Sequence, residues 1–266
     1  HELGADVNQC ETDGESPVIA AALHGQEECI RLLQQLGADV SKCTIDGASP
    51  VHAAVVNENV ECIRVLHELG ADIHKCEDDG VSPVSFAANL GHEECIRVLH
   101  ELGADVNTWD EHGGSPLWVA AQNGHDECLR VLHELGADIN QCDTYDSSPA
   151  QIAAFNGHEE SLRVLHELGA DVYHSGIKGA SPAYLAVQEG HEECLRVLHE
   201  LGADINECNT SDFSSLFAAV DEDKSPIVLL LVKLGANVQE LFDEDEDGNE
   251  FVPDVFTPAV EDIVQD

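Results

Sequence analysis

Cysteine residues recur at regular intervals in this 266-residue sequence, and thiols can form disulfides, bind metal or act as nucleophiles. One series is Cys29, Cys62, Cys95, Cys128 and Cys194, with Ser161 in place of a cysteine between the last two. A second series is Cys10, Cys43, Cys76, Cys142 and Cys208. A disulfide or a metal site requires several of these thiols to converge. Whether the thiols of either series can converge therefore depends on the secondary-structure elements that carry them.

Histidines form two further series with the same spacing. The first is His1, His67, His100, His133, His166 and His199, and the second is His92, His125, His158 and His191. Zinc ligands must lie within about 2.0–2.1 Å of one ion. A straight column of side chains brings at most two histidines to one ion, so we predict no metal centre and no cofactor. For the second series we predict hydrogen bonds within turns.

An acidic hexapeptide near the end of the sequence resembles the first half of a calcium-binding loop. Its potential ligands, counted to the twelfth loop position, are Asp243, Asp245, Asp247 and Asp254. Alternating aspartates can turn their oxygens towards one ion, and Gly248 permits the sharp turn of such a loop. However, Asp254 is shorter than the usual bidentate glutamate, and Pro253 disfavours a regular exiting helix. We favour a solvated acidic tail, with calcium binding as the alternative.

A repeat of 33 residues explains the regular spacing of all these side chains. The glycine of a Gly-Ala-Asp or Gly-Ala-Asn element falls at Gly4, Gly37, Gly70, Gly103, Gly136, Gly169, Gly202 and Gly235. A period of this size, kept without a slip, indicates stacked structural repeats. The sequence contains no glycine-rich phosphate loop, H-E-x-x-H helix or nucleophile elbow, so we predict no enzymatic activity.

Residues 79–107 show what one repeat encodes. Ser82 can cap a helix that begins at Pro83, where the missing N–H of proline is not needed, and Gly91 can end it in a left-handed turn. A second helix is predicted from about Glu93 to Leu102, because its apolar residues recur at i, i+3, i+4 and i+7. The segment after it is too short for a third helix. The predicted unit is therefore helix, turn, helix and a hairpin-like finger.

The same residues resemble a known family, the ankyrin repeat. The resemblance is carried by the line from Asp79 to Asn107, D-G-x-S-P-x-x-x-A-A-x-x-G-H-x-E-C-I-R-V-L-x-E-L-G-A-D-V-N, and it extends from residue 1 to about residue 240. Residues 82–87, S-P-V-S-F-A, match the T-P-L-H-x-A box of that family with Ser for Thr. The resemblance implies an all-α solenoid of helix-turn-helix units with hairpin-like fingers. It also implies a non-enzymatic module that binds other proteins through its fingers and inner helices.

This arrangement places the first cysteine series on the apolar face of the second helices and the second series on the fingers. Packed helices lie about 8–10 Å apart, whereas bridged cysteines need Cα atoms within about 7 Å. We therefore expect free thiols rather than a ladder of disulfides. Free thiols indicate a reducing, intracellular compartment, either cytoplasmic or nuclear.

Acidic residues outnumber basic ones by 53 to 11, which gives a formal net charge of −42. A protein that binds a phosphate backbone needs lysines and arginines to displace its counterions, so this charge argues against nucleic acid as a partner. No run of about 18 apolar residues is present to cross a bilayer. We predict a monomer that binds a protein partner with a basic surface and does not associate with membranes.

The chain divides into three predicted parts. Residues 1–12 are the remnant of a truncated repeat, residues 13–240 form an ankyrin repeat domain of seven repeats, and residues 241–266 are an acidic tail. The seventh repeat has Ser214-Ser215 in place of Ser-Pro, and we expect it to be an atypical capping repeat. Because the sequence has no methionine and begins with the pattern of a second-helix end, we expect it to be a fragment.

The copies differ most on the fingers and just after the alanine pair of the first helix. In proteins that resemble ankyrin repeats, such positions tend to recognise the partner. The residues that we predict to contact a partner are Leu90, Trp109, Trp118, Asn123, Tyr145, Phe155, Asn156 and Tyr184. Aromatic side chains make effective interface anchors. The alternative explanation for these differences is sequence drift at positions that packing does not constrain.

Together these features predict an intracellular scaffold or adaptor that binds a partner protein through the concave surface of its fingers and inner helices. One alternative is the binding or regulatory module of a larger enzyme whose catalytic part precedes this sequence. Another is a calcium-responsive binder that acts through the acidic tail.

Overall fold

The computed structural model describes residues 6–176, 179–207 and 214–238. Within these ranges the chain forms fourteen α-helices and no β-strand, which confirms the predicted all-α class. The helices follow one another in pairs, and each pair is one helix-turn-helix unit.

The first helix of each pair begins at a proline, except in the last pair. These first helices are α1 (Pro17–Leu23), α3 (Pro50–Val56), α5 (Pro83–Leu90), α7 (Pro116–Asn123), α9 (Pro149–Asn156), α11 (Pro182–Glu189) and α13 (Ser215–Asp221). The second helices are α2 (Glu27–Gln35), α4 (Val60–Glu68), α6 (Glu93–Glu101), α8 (Asp126–Glu134), α10 (Glu159–Glu167), α12 (Glu192–Glu200) and α14 (Ser225–Lys233).

Capping residues set the ends of the first helices as the sequence predicts. The hydroxyl of Ser82 accepts a hydrogen bond from the backbone N–H of Ser85 at 3.1 Å, which satisfies a donor that has no partner inside the helix. Gly91 ends the same helix with a φ of 76°, a left-handed conformation that glycine adopts without a steric penalty. The helix therefore occupies the predicted residues.

The fingers are closed by backbone hydrogen bonds and are joined to one another. In one finger the N–H of Glu77 donates to the carbonyl of Val81 at 3.0 Å. The N–H of Glu111 in the next finger donates to the carbonyl of Asp79 at 3.1 Å. Gly80 lies in the turn with a φ of 86°, and a Cβ there would come within 3.2 Å of the N atom of Glu111. Glycine is thus required both by the turn and by the approach of the next finger.

The chain divides into two compact units, residues 1–144 and residues 145–266. In the first unit, α1, α3, α5 and α7 pack in order, and so do α2, α4, α6 and α8. In the second unit, α9, α11 and α13 pack in order, and α10 packs on α12. In both units each first helix packs on the second helix of its own pair.

Small residues let the first helices approach each other, while branched residues fill the space between the helices of a pair. Ala54, Ala87 and Ala120 in the first unit have no exposed surface, and neither do Leu66 and Leu99. A larger side chain at the alanine positions would force the helices apart, because protein cores are close-packed. This packing explains why this alanine of the first helix is the same in all seven copies.

Candidate protein-binding site

The predicted contact residues of the first unit are largely accessible. Trp109 on a finger has 61% of its surface exposed, and Leu90 at the end of α5 has 36%. Asn123 is exposed, and its amide donates to the carbonyl of Val119 at 2.9 Å. Trp118 is half-buried. Trp109 and Leu90 are therefore the apolar side chains that this part of the predicted surface offers to a partner.

The predicted contact residues of the second unit include the aromatic ring that is most exposed among the described residues. Tyr145 has 71% of its surface exposed and Phe155 has 43%. Asn156 is exposed, and its amide donates to the carbonyl of Ile152 at 3.0 Å. Tyr184, by contrast, is buried, with 8% of its surface exposed. It occupies the third position of α11, and the residues at that position of α3 and α9 are buried too, so Tyr184 contributes to the core rather than to the accessible surface.

Tyr145 and Phe155 line one groove in the second unit, with a volume of about 410 Å³. Ile152, Leu185, Ala180 and Gly176 contribute the rest of its apolar lining. Asp146 lies beside Tyr145 and adds a carboxylate to the groove. A mostly apolar concavity with few polar groups is typical of a binding site.

Several lining residues differ between this groove and the same place two repeats earlier, and three of the differences remove acidic or amide side chains. There Asp79, Asn89 and Asp110 line a smaller cleft of about 270 Å³. Tyr145, Phe155 and Gly176 replace them in the repeat register, at intervals of twice 33 residues. Two acids and an amide have therefore given way to two aromatic rings and a position without a side chain. An acidic cleft has become an aromatic groove.

The backbone around Asp146 also departs from the other fingers. Asp146 stands where the preceding finger has Gly113, and it keeps the left-handed conformation with a φ of 57°. Gly176 in turn stands where the preceding finger has Asp143. A Cβ at residue 176 would lie 2.8 Å from the carbonyl oxygen of Asp146. Compared with Gly113 and Asp143, the glycine and the aspartate have thus exchanged places in Asp146 and Gly176. Gly176 leaves room for the two fingers to approach, and Asp146 adds a carboxylate to the groove.

Four thiols of the second helices, those of Cys62, Cys95, Cys128 and Cys194, are buried, whereas that of Cys29 on α2 is exposed. Burial raises the pKa of the Cys95 thiol to about 12, and the pKa of the Cys128 and Cys194 thiols to about 12 as well. Thiols with such pKa values stay protonated at neutral pH, whereas nucleophilic attack and metal binding require the thiolate. None of the nine described cysteines forms a disulfide. The four buried cysteines of the second helices therefore act as small core residues.

Histidines of the second series bind to the neighbouring repeat rather than to their own turn, which corrects the prediction. The Nε2 atom of His125 lies 3.0 Å from the carbonyl oxygen of Asn89, and that of His191 lies 3.0 Å from the carbonyl oxygen of Phe155. Both carbonyls belong to the last turn of the preceding first helix, where carbonyls have no partner within the helix. The histidine of one repeat therefore caps the helix of the previous one.

The potential calcium ligands Asp243, Asp245, Asp247 and Asp254 lie outside the described residues. Within the described residues, no helix combines the length and the apolar character needed to span a bilayer.

Comparisons with known proteins agree with this architecture. A family model for ankyrin repeats matches three times, at residues 1–75, 69–143 and 150–241. Among solved structures, the crystal structure of the human ASB11 ankyrin repeat domain is similar, with 28% sequence identity and a TM-score of 0.75. That match covers 84% of this chain and 99% of the other. A search of curated proteins finds no match. The chain belongs to the ankyrin repeat family, whose repeats are protein-binding modules.

Proposed function

We propose that this protein is an intracellular scaffold or adaptor without enzymatic activity, and that it binds a partner protein with a basic surface. The single observation that carries the proposal is the groove of the second unit, where exposed aromatic rings border an apolar concavity. Buried aromatic anchors dominate the energy of many protein interfaces, and a soluble protein rarely leaves such a groove unused.

The charge of the chain supports a basic partner. With a net charge of −42, the protein attracts a basic surface over several ångströms and repels nucleic acid. Complementary charge mainly speeds the encounter, whereas the apolar groove determines how long the complex lasts. In the first unit we assign Leu90, Trp109 and Asn123 to the same function, and we propose that the chain acts as a monomer.

Site-specific photo-crosslinking tests the proposal. A benzophenone amino acid at residue 145 should capture a discrete partner from cells, because Tyr145 is the most exposed large apolar side chain among the described residues. The matched control carries the same group at residue 160, since Glu160 is exposed on α10, away from the groove-lining residues. We expect capture at residue 145 and none at residue 160.

Binding measurements with the captured partner then test the surface itself. Replacing Tyr145 and Phe155 together by alanine should weaken binding at least tenfold, since each ring contributes about 1 kcal/mol or more at a well-packed interface. The affinity should also fall as salt rises, because screening weakens attraction between opposite charges. Unchanged affinity of the double variant would show that another surface binds the partner.

A further inference from the structure

We propose that the groove at Tyr145, Asp146 and Phe155 takes an arginine side chain of the partner. This inference rests on the proposed function, because it specifies the chemical group that the partner presents to this groove. Three properties of the groove lead to it: an apolar lining, two aromatic rings and one carboxylate.

The apolar lining suits a side chain with a hydrocarbon stem. Ile152 and Leu185 line the groove together with Gly176, and the last of these offers no side chain that would fill it. Arginine and lysine bury their methylene groups against such surfaces while keeping the charged head near polar groups. A carboxylate side chain is excluded, because the groove carries Asp146 and the whole chain is strongly negative.

The two aromatic rings favour a flat cation. A guanidinium group stacks on aromatic faces and is more weakly hydrated than an ammonium group, so it loses less on leaving water. Tyr145 and Phe155 both line the groove and both keep more than a third of their surface exposed. They are therefore accessible to such a group from solvent.

The carboxylate of Asp146 supplies the charge that pairs with the guanidinium. Its side chain is 47% exposed and lies 3.7 Å from the Nε2 atom of His174. A carboxylate can accept two parallel hydrogen bonds from one guanidinium, a geometry that a lysine cannot reproduce. Asp146 would thus fix the orientation of an arginine whose stem lies on Ile152 and Leu185.

Asp146 takes the place of the glycine that other turns of this kind have. The other described turns of this kind have Gly14, Gly47, Gly80, Gly113 and Gly179, all with positive φ. Aspartate is one of the few residues with a side chain that adopt this conformation readily. Asp146 therefore keeps the turn while placing a carboxylate beside the groove.

Nuclear magnetic resonance with defined peptides tests the inference on the intact chain. The probe is an acetylated and amidated peptide, Ser-Gly-Arg-Gly-Ser, compared with peptides in which citrulline or lysine replaces the arginine. The chain has three tyrosines, so carbon-13 labelling of tyrosine rings gives few signals, and that of Tyr145 is assigned from Tyr145→Phe. We expect the arginine peptide to shift the Tyr145 signal and to bind at least tenfold more tightly than the citrulline and lysine peptides.

Two matched variants separate the carboxylate from the backbone. Asp146→Asn removes the charge but tolerates the left-handed conformation, and it should weaken binding of the arginine peptide at least tenfold. Asp223→Asn is the control, because Asp223 is an exposed aspartate with a φ of 54° that does not line the groove. It should leave binding unchanged.

Three results would overturn the inference: equal binding of the citrulline or lysine peptide, no shift of the Tyr145 signal, or an equal effect of the two variants. If the partner still crosslinks at residue 145 while the arginine peptide does not bind, the inference fails and the proposed function stands. If the partner does not crosslink at residue 145 and the arginine peptide does not bind, the inference and the proposed function both fail.

Discussion

His52 is a buried histidine whose hydrogen bonds require the neutral ring. It is 1% exposed, its Nδ1 atom accepts from the backbone N–H of Ser49 at 3.3 Å, and its Nε2 atom lies 3.3 Å from the carbonyl oxygen of Val81. Burial lowers the pKa of His52 from 6.5 to about 4, although the hydrogen bond to Val81 and the charge of Asp79 oppose the shift. Protonation would place a hydrogen on Nδ1, which could then no longer accept the hydrogen bond from the N–H of Ser49.

A lowered pKa in the folded state makes His52 a source of acid sensitivity. Between pH 6.5 and about 4 the unfolded chain binds a proton that the folded chain does not, so stability increases with pH across this window. The full contribution is present above pH 6.5 and is lost as the pH falls towards 4. The difference in pKa corresponds to a free energy on the order of 3 kcal/mol.

We predict that His52→Gln removes this acid sensitivity while keeping stability near neutral pH. Gln151 already performs the same task in α9: its Oε1 atom accepts from the N–H of Ser148 at 2.9 Å, and its amide donates to the carbonyl of Ala180. Urea unfolding of both proteins at several pH values measures the effect, and the wild type should lose stability relative to the variant below pH 6.5. Parallel profiles would show that His52 does not titrate in this range.

Glu58 adopts a left-handed conformation in a place where other repeats have glycine. Its φ is 54°, whereas the equivalent Gly91 has a φ of 76°. We predict that Glu58→Gly stabilises the protein by about 0.5–1 kcal/mol, because relief of steric strain exceeds the added flexibility of the unfolded chain. Thermal unfolding measures the change. Glu58→Ala is the control: it removes the same charge but keeps the strain, so a stabilisation equal to that of glycine would contradict this explanation.

At the scale of the helix pair, a hydrogen bond joins the start of a second helix to the end of the first helix in the preceding repeat. His191 reaches the carbonyl of Phe155 past Gly157, where a Cβ would lie 2.7 Å from its Nδ1 atom. The Nε2 atom of His92 lies 3.4 Å from the carbonyl oxygen of Val56, with Glu58 in the glycine position. Asn59 makes the corresponding bond at the start of α4, where its amide donates to the carbonyls of Ala22 and Leu23 at 3.0 Å. Different donors therefore fulfil one structural requirement.

We predict that Gly157→Ala destabilises the protein more than Gly190→Ala does. Both glycines end a first helix with a positive φ, but a Cβ at Gly190 meets nothing within 4 Å. Gly190→Ala should therefore cost only the conformational strain of about 1–2 kcal/mol. Gly157→Ala should add the displacement of His191 and the loss of its hydrogen bond, about 1 kcal/mol more.

A double-mutant cycle identifies the source of that difference. In a His191→Ala background there is no ring to displace, so the cost of Gly157→Ala should fall to that of Gly190→Ala. The free energies of unfolding from urea titrations provide the comparison. If the costs of Gly157→Ala and His191→Ala simply add, the glycine does not serve to admit the histidine.

The sequence alone predicts the elements well, because each helix boundary is encoded locally. Ser82-Pro83 and Gly91 fix α5 through a cap, a preset φ and a left-handed turn, and none of these depends on distant residues. The role of His125 does not follow in this way, since its partner lies 36 residues earlier and is reached only when repeats stack. If only its neighbours in the sequence are considered, His125 is assigned to its own turn.

The candidate groove is only partly predictable for the same reason. The exposed rings of Tyr145 and Phe155 stand out as variable aromatic positions, and Asp146 stands out where a glycine is missing. The burial of Tyr184 depends on how its helix position faces the core. The exchange of Asp146 with Gly176 can be read from the sequence only by comparing positions 30 residues apart, in two successive fingers, and not by comparing positions within a single repeat.

At the scale of the whole molecule, acidic residues are in large excess, and several of the few basic residues form ion pairs with glutamates. Arginines of the second helices bind glutamates of the next repeat, in the pairs Arg31–Glu68, Arg64–Glu101, Arg97–Glu134 and Arg163–Glu200 at 2.7–3.0 Å. The glutamate side chains in these pairs are 58–60% exposed. Exposed pairs of this kind contribute about 0–1 kcal/mol each. Repulsion among 53 acidic residues, set against 11 basic ones, is expected to exceed that contribution.

We therefore predict that added salt stabilises the folded chain and weakens its complex. Raising sodium chloride from about 0.02 M to about 0.5 M shortens the screening length from roughly 20 Å to roughly 4 Å. The urea midpoint should increase, because repulsion between like charges is screened more than the short Arg–Glu contacts. The affinity for a basic partner should decrease over the same range, since that attraction acts between opposite charges. A midpoint that falls with salt would mean that the Arg–Glu pairs dominate the electrostatic free energy. An affinity that does not change would contradict a basic partner while leaving the apolar groove as the binding site.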